Sequence, residues 1–317
     1  MGFLEVAFAL FSIFVFPGFL FLGVFGFIAE YADRKLYAKM QNRIGPPWFQ
    51  PFADFIKLIG KEEIVPQAAD AGMFKILPVF AVTAVVSSFL YIPLWKTTSL
   101  FSFDGDIIVV LYLLTIPTLT FALGGWHSTS PYAGIGAMRA LTQLFAYEVP
   151  LFMAILSPAV LANTWSLTKM INFYQQNPTY IFFNIIAFVV ALAAIQGKLE
   201  KVPFDAPEAE TEIVAGAFTE YSGKYYAMFR MAISMELVVG AALIAAVFLP
   251  FGFKFGPIIG FLVFLVKTFF IIFLLAVIRT AYARLRIDQV VTFCWKFLAP
   301  IALLQIVINF VLKGMLL

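Results

Sequence analysis

Eight apolar stretches of about 20 residues constrain this chain more than any other feature of its sequence. A run of that length crosses a hydrocarbon core of about 30 Å as a helix, and a helix satisfies the backbone hydrogen bonds that lipid cannot. The sequence therefore predicts an all-α fold, a polytopic membrane helical bundle of about eight transmembrane helices. The expected spans lie near residues 6–29, 74–94, 106–125, 144–162, 179–197, 228–250, 256–278 and 294–315.

Composition supports a multi-pass protein of the cell membrane. Of 317 residues, 62% are hydrophobic and 12% are charged, whereas a soluble domain has about 25% charged residues. The first apolar run is too long for a cleavable signal peptide, and no linker, low-complexity tract or repeat divides the chain. We therefore expect residues 1–317 to form a single integral membrane domain. The net charge of +3 does not favour nucleic acid as a partner.

Cys294 is the only cysteine, and it lies within an apolar run. One cysteine cannot form an internal disulfide, and alone it cannot hold an iron–sulfur cluster or a zinc ion. No phosphate-binding loop, metal-ligand cluster or nucleophile motif is present, so the chain shows no enzyme site of its own. We expect no cofactor in this chain and assign any redox chemistry to partners.

The distribution of Lys and Arg predicts the orientation of the bundle. Thirteen lie in the predicted loops 30–73, 126–143, 198–227 and 279–293, against four in the alternate loops and the C-terminal tail. The positive-inside rule places the richer loops in the cytoplasm. Both the N- and C-termini are therefore expected outside, with large cytoplasmic loops 1 and 3, which are 30–73 and 198–227.

Loop 1 contains an amphipathic segment. Its residues Phe52, Phe55, Ile56 and Ile59 follow the i, i+3, i+4, i+7 spacing of a helix face. Charged residues lie between and after them: Asp54, Lys57, Glu62 and Glu63. The pattern favours a helix at the membrane surface or against a partner, and a solvated helical hairpin is the alternative.

Loop 3 contains the strongest signal, the segment LEKVPFDAPEAETEIVAGAFTEYSGK. Its six carboxylates are Glu200, Asp205, Glu208, Glu210, Glu212 and Glu220. Pro207 suits the first turn of a helix, and acids near a helix start are favoured by the helix dipole. Glu208 and Glu212, four residues apart, would share a face, where repulsion should raise one pKa. Such a cluster suits a proton or cation relay, and the alternative is a capped, solvated helix start.

Three ionisable residues lie within predicted spans. Glu148 is expected about one turn inside the fourth span, Glu236 about two turns into the sixth, and Lys267 near the middle of the seventh. Charge at such depth costs at least a few kcal/mol, so these are candidates for proton or ion coupling. For Glu148 the alternative is an interfacial residue that reaches the headgroups. For Lys267 it is snorkelling or a structural pair with Glu236.

Five ordered segments together resemble the core membrane subunit of respiratory complex I that abuts the peripheral arm, and its counterparts in energy-converting membrane-bound nickel–iron (NiFe) hydrogenases. The segments are DRKLYAKMQNRIGP, QPFADFIKLIGKEE, GWHSTSPYAGIGAMRALTQLFAYEVPL, PFDAPEAETEIVAGAFTEYSG and RLRIDQVVTFCWKFLAP. They occur in the family's order and cover nearly the whole chain. The compact form most resembles the M-type membrane subunit of archaeal hydrogenases of this kind.

The resemblance implies a non-catalytic subunit that anchors a redox complex to the membrane and couples it to H⁺ or Na⁺ translocation. It implies three partners, which are a hydrogenase-like large subunit with a NiFe centre, a small subunit with 4Fe-4S clusters, and antiporter-like membrane subunits. Glutamates matching Glu148, Glu208, Glu210 and Glu212 look like part of an acidic path. Charged residues in the matching loop motifs would face the peripheral arm: Arg34, Arg43, Asp54, Lys57, Glu62, Glu63, Arg139, Arg284, Arg286 and Asp288.

Two departures bear on the electron acceptor and on the ion path. Complex I members usually have a longer insert beside the quinone chamber, whereas only three residues separate Pro46 from Gln50 here. This shortening favours a ferredoxin-dependent, H₂-evolving complex over a quinone-reducing complex, with a sulfur-reducing relative as a further alternative. Where family members often have an acid, this chain has Ile233, with Glu236 one turn further on. A stand-alone ion transporter and a purely structural anchor are the rival classes.

Overall fold

The computed structural model describes residues 3–252 and 256–316; the side chains of residues 3, 210, 211 and 316 lie outside this description. The described chain contains thirteen α-helices. In chain order, α1 to α13 are Phe3–Phe14, Phe19–Met40, Gln50–Ile59, Ala71–Phe89, Asp106–His127, Pro131–Ala162, Leu167–Gln176, Ile185–Lys198, Glu210–Ile213, Gly223–Phe248, Pro257–Ala281, Ile287–Phe293 and Ala299–Leu316. A 3₁₀ helix, Pro178–Asn184, leads into α8, and a π-helical turn, Cys294–Leu298, joins α12 to α13.

The predicted membrane bundle is confirmed. Within the described residues, eight helical segments are long and apolar enough to span a membrane, and they correspond in order to the eight apolar runs. Helix α10 forms the centre of the bundle, since 94% of its most apolar stretch is buried against other parts of the chain. It packs against α2, α4 and α11. Glu236, the acidic residue of α10, is 2% exposed and therefore faces protein rather than lipid.

Two span boundaries were predicted wrongly. The first span is a broken helix, because α1 ends at Phe14 and α2 continues to Met40, well past the predicted end at residue 29. Helix α6 begins at Pro131 rather than at residue 144, so most of the predicted loop 126–143 is helical. The small and hydroxyl residues of that segment resemble a loop in sequence but are compatible with a helix that packs on its neighbours.

A close approach between α2 and α10 positions the polar residues near the end of α2. Gly26 makes this approach possible, because a Cβ at that position would lie 3.0 Å from the backbone nitrogen of Met235 and 3.1 Å from the carbonyl oxygen of Ser234. Small residues commonly allow membrane helices to pack this tightly. One turn further along α2, the same approach brings Glu30 against α10.

The motif-bearing connections meet at one end of the bundle, which we call the polar end. It comprises residues 41–70, 128–130, 199–222 and 282–286. The first and third of these connections are tied together, since the Ser222 hydroxyl donates to the carbonyl of Glu62 and accepts from the amide of Ile64, both at 3.1 Å. Helix α3 packs its aromatic face on α2, where the ring of Phe27 lies 5.2 Å from that of Phe52.

Candidate functional site

A cavity of about 460 Å³ extends from the polar end into the bundle. Twelve charged side chains line it, six acidic and six basic. The acidic residues are Glu30, Asp33, Glu200, Asp205, Glu208 and Glu236, and the basic residues are Arg34, Lys198, Lys201, Arg230, Arg279 and Arg284. Burying a charged group in a membrane protein costs free energy unless an opposite charge lies beside it. The equal number of acidic and basic residues allows the charges of the cavity to be paired.

Glu30 joins α2 to α10 at the entrance of the cavity. Its carboxylate accepts a hydrogen bond from the Ser234 hydroxyl at 2.5 Å and lies 3.3 Å from the guanidinium of Arg230. It also pairs with Arg34, one turn further along α2. The second guanidinium nitrogen of Arg34 lies 3.2 Å from Asp54 of α3. The amphipathic helix of loop 1 is thereby linked electrostatically to the cavity.

Asp33 is almost completely buried and is held by two cations. It accepts hydrogen bonds from Lys201 at 2.8 Å and from Arg279 at 2.9 Å, and so connects α2 with loop 3 and α11. Burial lowers the pKa of Lys201 below its ordinary value. The negative charge of Asp33 opposes this decrease, and the positive charge of Arg279 adds to it. These three residues form a fixed wall of the cavity.

Glu200 follows α8 and turns its carboxylate into the cavity. Its φ of 51° lies in the left-handed region, which non-glycine residues rarely adopt. Its Oε1 atom is buried and has no hydrogen-bonding partner among the described residues. Burial, followed by repulsion from Glu208 and Glu236, raises the pKa of Glu200 well above its ordinary value of 4.5. Folding therefore shifts Glu200 toward its protonated form.

Glu236 lies at the inner end of the cavity. It is thirteen residues from the start of α10, a depth of about 20 Å along the helix. Its carboxylate lies 2.5 Å from the ammonium of Lys198, and both side chains are almost fully buried. The same ammonium donates to Thr118 at 3.2 Å, and the Thr118 hydroxyl lies 3.1 Å from the hydroxyl of Tyr147. A polar chain therefore continues from the cavity toward α5 and α6.

Glu148 lies near the middle of α6, more turns from the helix start than the sequence predicted, because α6 begins earlier. Seventeen residues separate it from the start of the helix at Pro131. It does not line the cavity among the residues described. Glu148 is half-buried and adjacent in sequence to Tyr147, where the polar chain ends.

The predicted helix of loop 3 is much shorter than expected. Helix α9 contains only Glu210–Ile213, so Glu208 precedes it, and the prediction that Glu208 and Glu212 share a helix face is wrong. Gly216 accounts for the compact turn, because a Cβ there would lie 2.0 Å from the carbonyl oxygen of Pro207. Backbone packed this closely within the loop leaves no room for a longer helix.

The loop 3 acids separate into two groups. Glu208 faces the cavity 3.8 Å from Arg230, whereas Glu212 is half exposed and binds Arg139 at 2.7 Å and Arg284 at 3.5 Å. The hydrogen bond from Arg139 lowers the pKa of Glu212, which contradicts the expected upward shift for a repelling pair. Glu220 is partly buried outside the cavity lining, and the side chain of Glu210 lies outside the described residues.

Lys267 lies apart from the cavity. Its ammonium donates to the carbonyl oxygens of Leu249 and Phe251, both at 2.9 Å, just after α10 ends. The suggested pair between Lys267 and Glu236 is wrong, since Lys198 is the partner of Glu236. A cation at a helix C-terminus is favoured by the helix dipole, which gives Lys267 a structural explanation.

The remaining candidates of the predicted interface lie at or near the polar end. Glu63 pairs with Lys224 at 2.5 Å, and Arg286 lies 3.8 Å from Asp288. The side chains that are exposed there are Arg43, Lys57, Glu62, Glu63, Arg286 and Asp288. They form a charged surface around the cavity entrance. Whether this surface contacts a peripheral arm stays a prediction.

Sequence reasoning missed several cavity residues. Glu30 and Asp33 were not considered as site residues, and Lys198, Lys201 and Arg230 were not assigned a role in the site. One signal could have indicated the first two, because acids three residues apart at the end of an apolar run lie on one helix face. Their partners are up to 246 residues away in sequence, and no local pattern indicates them.

The described residues contain no group of three His, Cys, Asp or Glu side chains that could hold a metal ion. The cavity instead offers carboxylates, ammonium groups and hydroxyls within hydrogen-bonding reach of one another. Such an arrangement can take up, share and release protons as nearby charge changes.

Comparison with known proteins gives consistent relatives. The sequence model of the NADH dehydrogenase family matches residues 11–310. The chain is 34% identical over 302 residues to the H subunit of the NADH-quinone oxidoreductase of Carboxydothermus hydrogenoformans, and the match covers 92% of this chain and 85% of the relative. It is 37% identical over 312 residues to the corresponding protein of Geobacillus thermodenitrificans, with 93% and 92% covered.

The fold is also similar to that of a solved structure. A chain of the membrane-bound sulfane sulfur reductase, an archaeal respiratory membrane complex, superposes with a TM-score of 0.82 at 30% sequence identity. The match covers 92% of this chain and 96% of that chain. The similarity therefore extends over the whole bundle.

Proposed function

Because this chain belongs to the NADH dehydrogenase family and is a membrane subunit of a complex I-like respiratory complex, we propose that it couples electron transfer in a peripheral arm to ion translocation through the membrane. The ion would be H⁺ or Na⁺. The chain itself would anchor the redox subunits and transmit the effect of electron transfer inward, without performing redox chemistry.

The observation that carries this proposal is the charged cavity. A purely structural anchor needs a charged docking surface but has no need of twelve ionisable residues reaching about 20 Å along the central helix. Half of a hydrocarbon core is only about 15 Å thick, so a charged group this far along a spanning helix would lie deep in the membrane. Ionisable residues at such depth commonly belong to proton or ion pathways.

The exposed surface around the cavity entrance supports a docking role for the polar end. Besides its charged side chains, it exposes large apolar ones, including Trp48 at 69% and Ile44 at 89%. The excess of Lys and Arg at this end favours the cytoplasmic side, with both termini opposite. We propose that hydrogenase-like and 4Fe-4S subunits bind there, and that antiporter-like subunits bind within the membrane.

For the electron acceptor, we propose an H₂-evolving, ferredoxin-dependent complex with the NiFe centre in a partner. The short connection between Pro46 and Gln50 and the charged character of the cavity both favour an acceptor other than a quinone, whose ring and tail need apolar surroundings. The 30% identity to a chain of the sulfur reductase favours sulfur as the second candidate. Quinone is the third candidate for the electron acceptor, because the chain is also similar to subunits of NADH-quinone oxidoreductases.

The coupling proposal is tested by variants of the intact complex in sealed proteoliposomes. Glu148→Gln and Glu212→Gln should leave assembly of the complex and electron transfer intact and should reduce ion translocation. Asp104→Asn, an exposed acid outside the polar end, serves as the control. Unaltered translocation in both glutamate variants would refute the proposal.

The acceptor is tested by the products and subunits of the same purified complex. Hydrogen evolution together with a copurifying nickel-binding subunit is expected. Sulfide production without nickel would assign the sulfur branch, and inhibition of turnover by a quinone-site inhibitor would assign the quinone branch.

A further inference from the structure

The ammonium of Lys198 links a carboxylate of α10 to a polar chain that reaches α6. Its side chain is fully buried, and its nitrogen lies 2.5 Å from Oε1 of Glu236 on α10. The same ammonium donates to Thr118 at 3.2 Å, and the Thr118 hydroxyl lies 3.1 Å from the hydroxyl of Tyr147, the neighbour of Glu148 on α6. Glu236 lines the charged cavity, whereas Glu148 does not line it among the described residues. Lys198 thus lies between the cavity and the turn of α6 that carries Glu148.

We propose that Lys198 is a positioning residue that couples the protonation of Glu236 to that of Glu148. This inference rests on the proposed function and names the element that would transmit charge from the cavity into the membrane. The coupling arises because the ammonium that pairs with Glu236 is also linked, through Thr118 and Tyr147, to the turn of α6 that carries Glu148, in a region of low dielectric where the attraction between charges is strong.

The charges balance through the cycle. In the first state Glu236 is ionised and paired with Lys198, and Glu148 carries a proton. When Glu236 takes up a proton from the cavity, its attraction for the ammonium is lost, and Lys198 becomes available to Glu148. Glu148 releases its proton away from the cavity in the same step, so the three groups keep the same total charge and no uncompensated buried charge forms. The first state is restored when the proton on Glu236 passes to Glu148 and the ammonium returns to Glu236.

The groups around Lys198 are compatible with a movement of its ammonium between Glu236 and α6. On α5, the Thr118 hydroxyl accepts from the ammonium at 3.2 Å, and it lies 3.1 Å from the Tyr147 hydroxyl. On α6, the ring of Tyr147 lies 5.9 Å below the ammonium, next to Glu148 in the chain. After α8, Glu200 adds a third carboxylate on the cavity side. The ammonium therefore has polar groups near it both on the cavity side and on the side of α5 and α6.

The test uses the complete complex with its own electron donor and acceptor, reconstituted into sealed proteoliposomes. Glu236→Gln keeps an oxygen that accepts a hydrogen bond from Lys198 but cannot gain or lose a proton. The double variant Lys198→Met with Glu236→Gln removes both charges together. Lys198→Arg keeps the positive charge. The double variant Lys169→Met with Asp104→Asn removes an exposed ion pair and is the matched control.

We expect the Lys198–Glu236 double variant, which leaves no unpaired buried charge, to assemble and to transfer electrons normally. Glu236→Gln removes only one partner of the buried pair, so it should assemble with a lower thermal midpoint and still transfer electrons. In both variants the ratio of ions translocated to electrons transferred should fall by about tenfold, within the usual range of coupling between sites. Lys198→Arg keeps the positive charge and should retain most of the ratio. If only the packing of Lys198 mattered, this larger side chain would lower the ratio as well. The control should have the ratio of the unaltered complex.

If both Glu236 variants translocate ions normally while Glu148→Gln does not, the role of Lys198 is overturned and the proposed function stands. If Glu148→Gln and Glu212→Gln also translocate normally, the proposed function itself fails. Should Glu236→Gln not assemble, because it leaves Lys198 buried without its partner, the double variant alone decides between these results.

Discussion

Asp33 on α2 accepts a hydrogen bond from Lys201 at 2.8 Å, and this contact joins two residues that are 168 positions apart in the chain. Arg279 of α11 donates to the same oxygen at 2.9 Å. The carboxylate is almost completely buried, so it depends on these two cations for stabilisation. The contact fixes loop 3 over the end of α2, where the acids of both segments meet.

Replacing Asp33 with Ala should destabilise the bundle strongly. The change leaves Lys201 and Arg279 without their common partner, and breaking a buried ion pair in this way costs about 3–5 kcal/mol. The loss should appear as a lower thermal unfolding midpoint of the detergent-solubilised complex. Asp104→Asn removes an exposed pair with Lys169 and should cost only about 0–1 kcal/mol. Equal effects of the two changes would contradict the structural role of Asp33.

Replacing Gly26 with Val should separate α2 from α10. The new side chain would meet the backbone of Ser234 and Met235 at about 3 Å, and overpacking of this kind costs about 1–3 kcal/mol. The contact between Glu30 and Ser234 should be lost with it. Gly134→Ala on α6 is the control, because no atom lies within 4 Å of the added Cβ. A thermal midpoint unchanged in Gly26→Val would exclude tight packing at this position.

The pH dependence of stability should change in Glu200→Gln. Burial raises the folded-state pKa of Glu200 well above 4.5, so folding favours its protonated form. The stability that this provides is fully present below the unfolded pKa and is lost as pH rises through the folded pKa. Glu200→Gln should therefore stabilise the complex above that folded pKa and make little difference below pH 4.5.

Thermal midpoints of both forms, measured from about pH 5 to about pH 8, check this expectation. The difference between them should grow as pH rises. A constant difference across the range would indicate that Glu200 is ionised in the folded protein throughout.

Glu212→Gln separates docking from coupling at the polar end. Glu212 is half exposed and pairs with Arg139 and Arg284, so we expect its removal to leave the thermal midpoint of the isolated subunit nearly unchanged. If Glu212 belongs to the coupling path, ion translocation falls while the peripheral subunits stay bound. If those subunits instead dissociate at a lower salt concentration than they do from the unaltered complex, Glu212 would be assigned to docking alone.

The membrane fold could be predicted because its main constraint is local. Each span must satisfy its own backbone hydrogen-bonding groups, so a run of apolar residues indicates a helix even when the neighbouring helices are unknown. Besides the broken first span, the start of α6 was missed, because Gly134, Gly136 and Arg139 made a helical segment resemble a loop. Arg139 is accommodated there because its guanidinium reaches Glu212 at the polar end.

The site was predicted only in part. Glu200, Asp205, Glu208 and Glu236 do line one cavity, but their distribution depends on arginines and lysines of other helices. Pairs such as Glu236 with Lys198 are set by how α8 and α10 pack, and no spacing within one segment encodes them. For the same reason the sequence could not reveal that Glu212 pairs with Arg139 and Arg284 instead of lining the cavity.

The ratio of ions translocated to electrons transferred, measured side by side for the unaltered complex and for Glu148→Gln in sealed proteoliposomes, tests the central claim most directly. Coupling through the buried charges predicts normal electron transfer with a ratio lowered by about tenfold in the variant. An identical ratio in both preparations would contradict it and would leave this chain as an anchor for its partners.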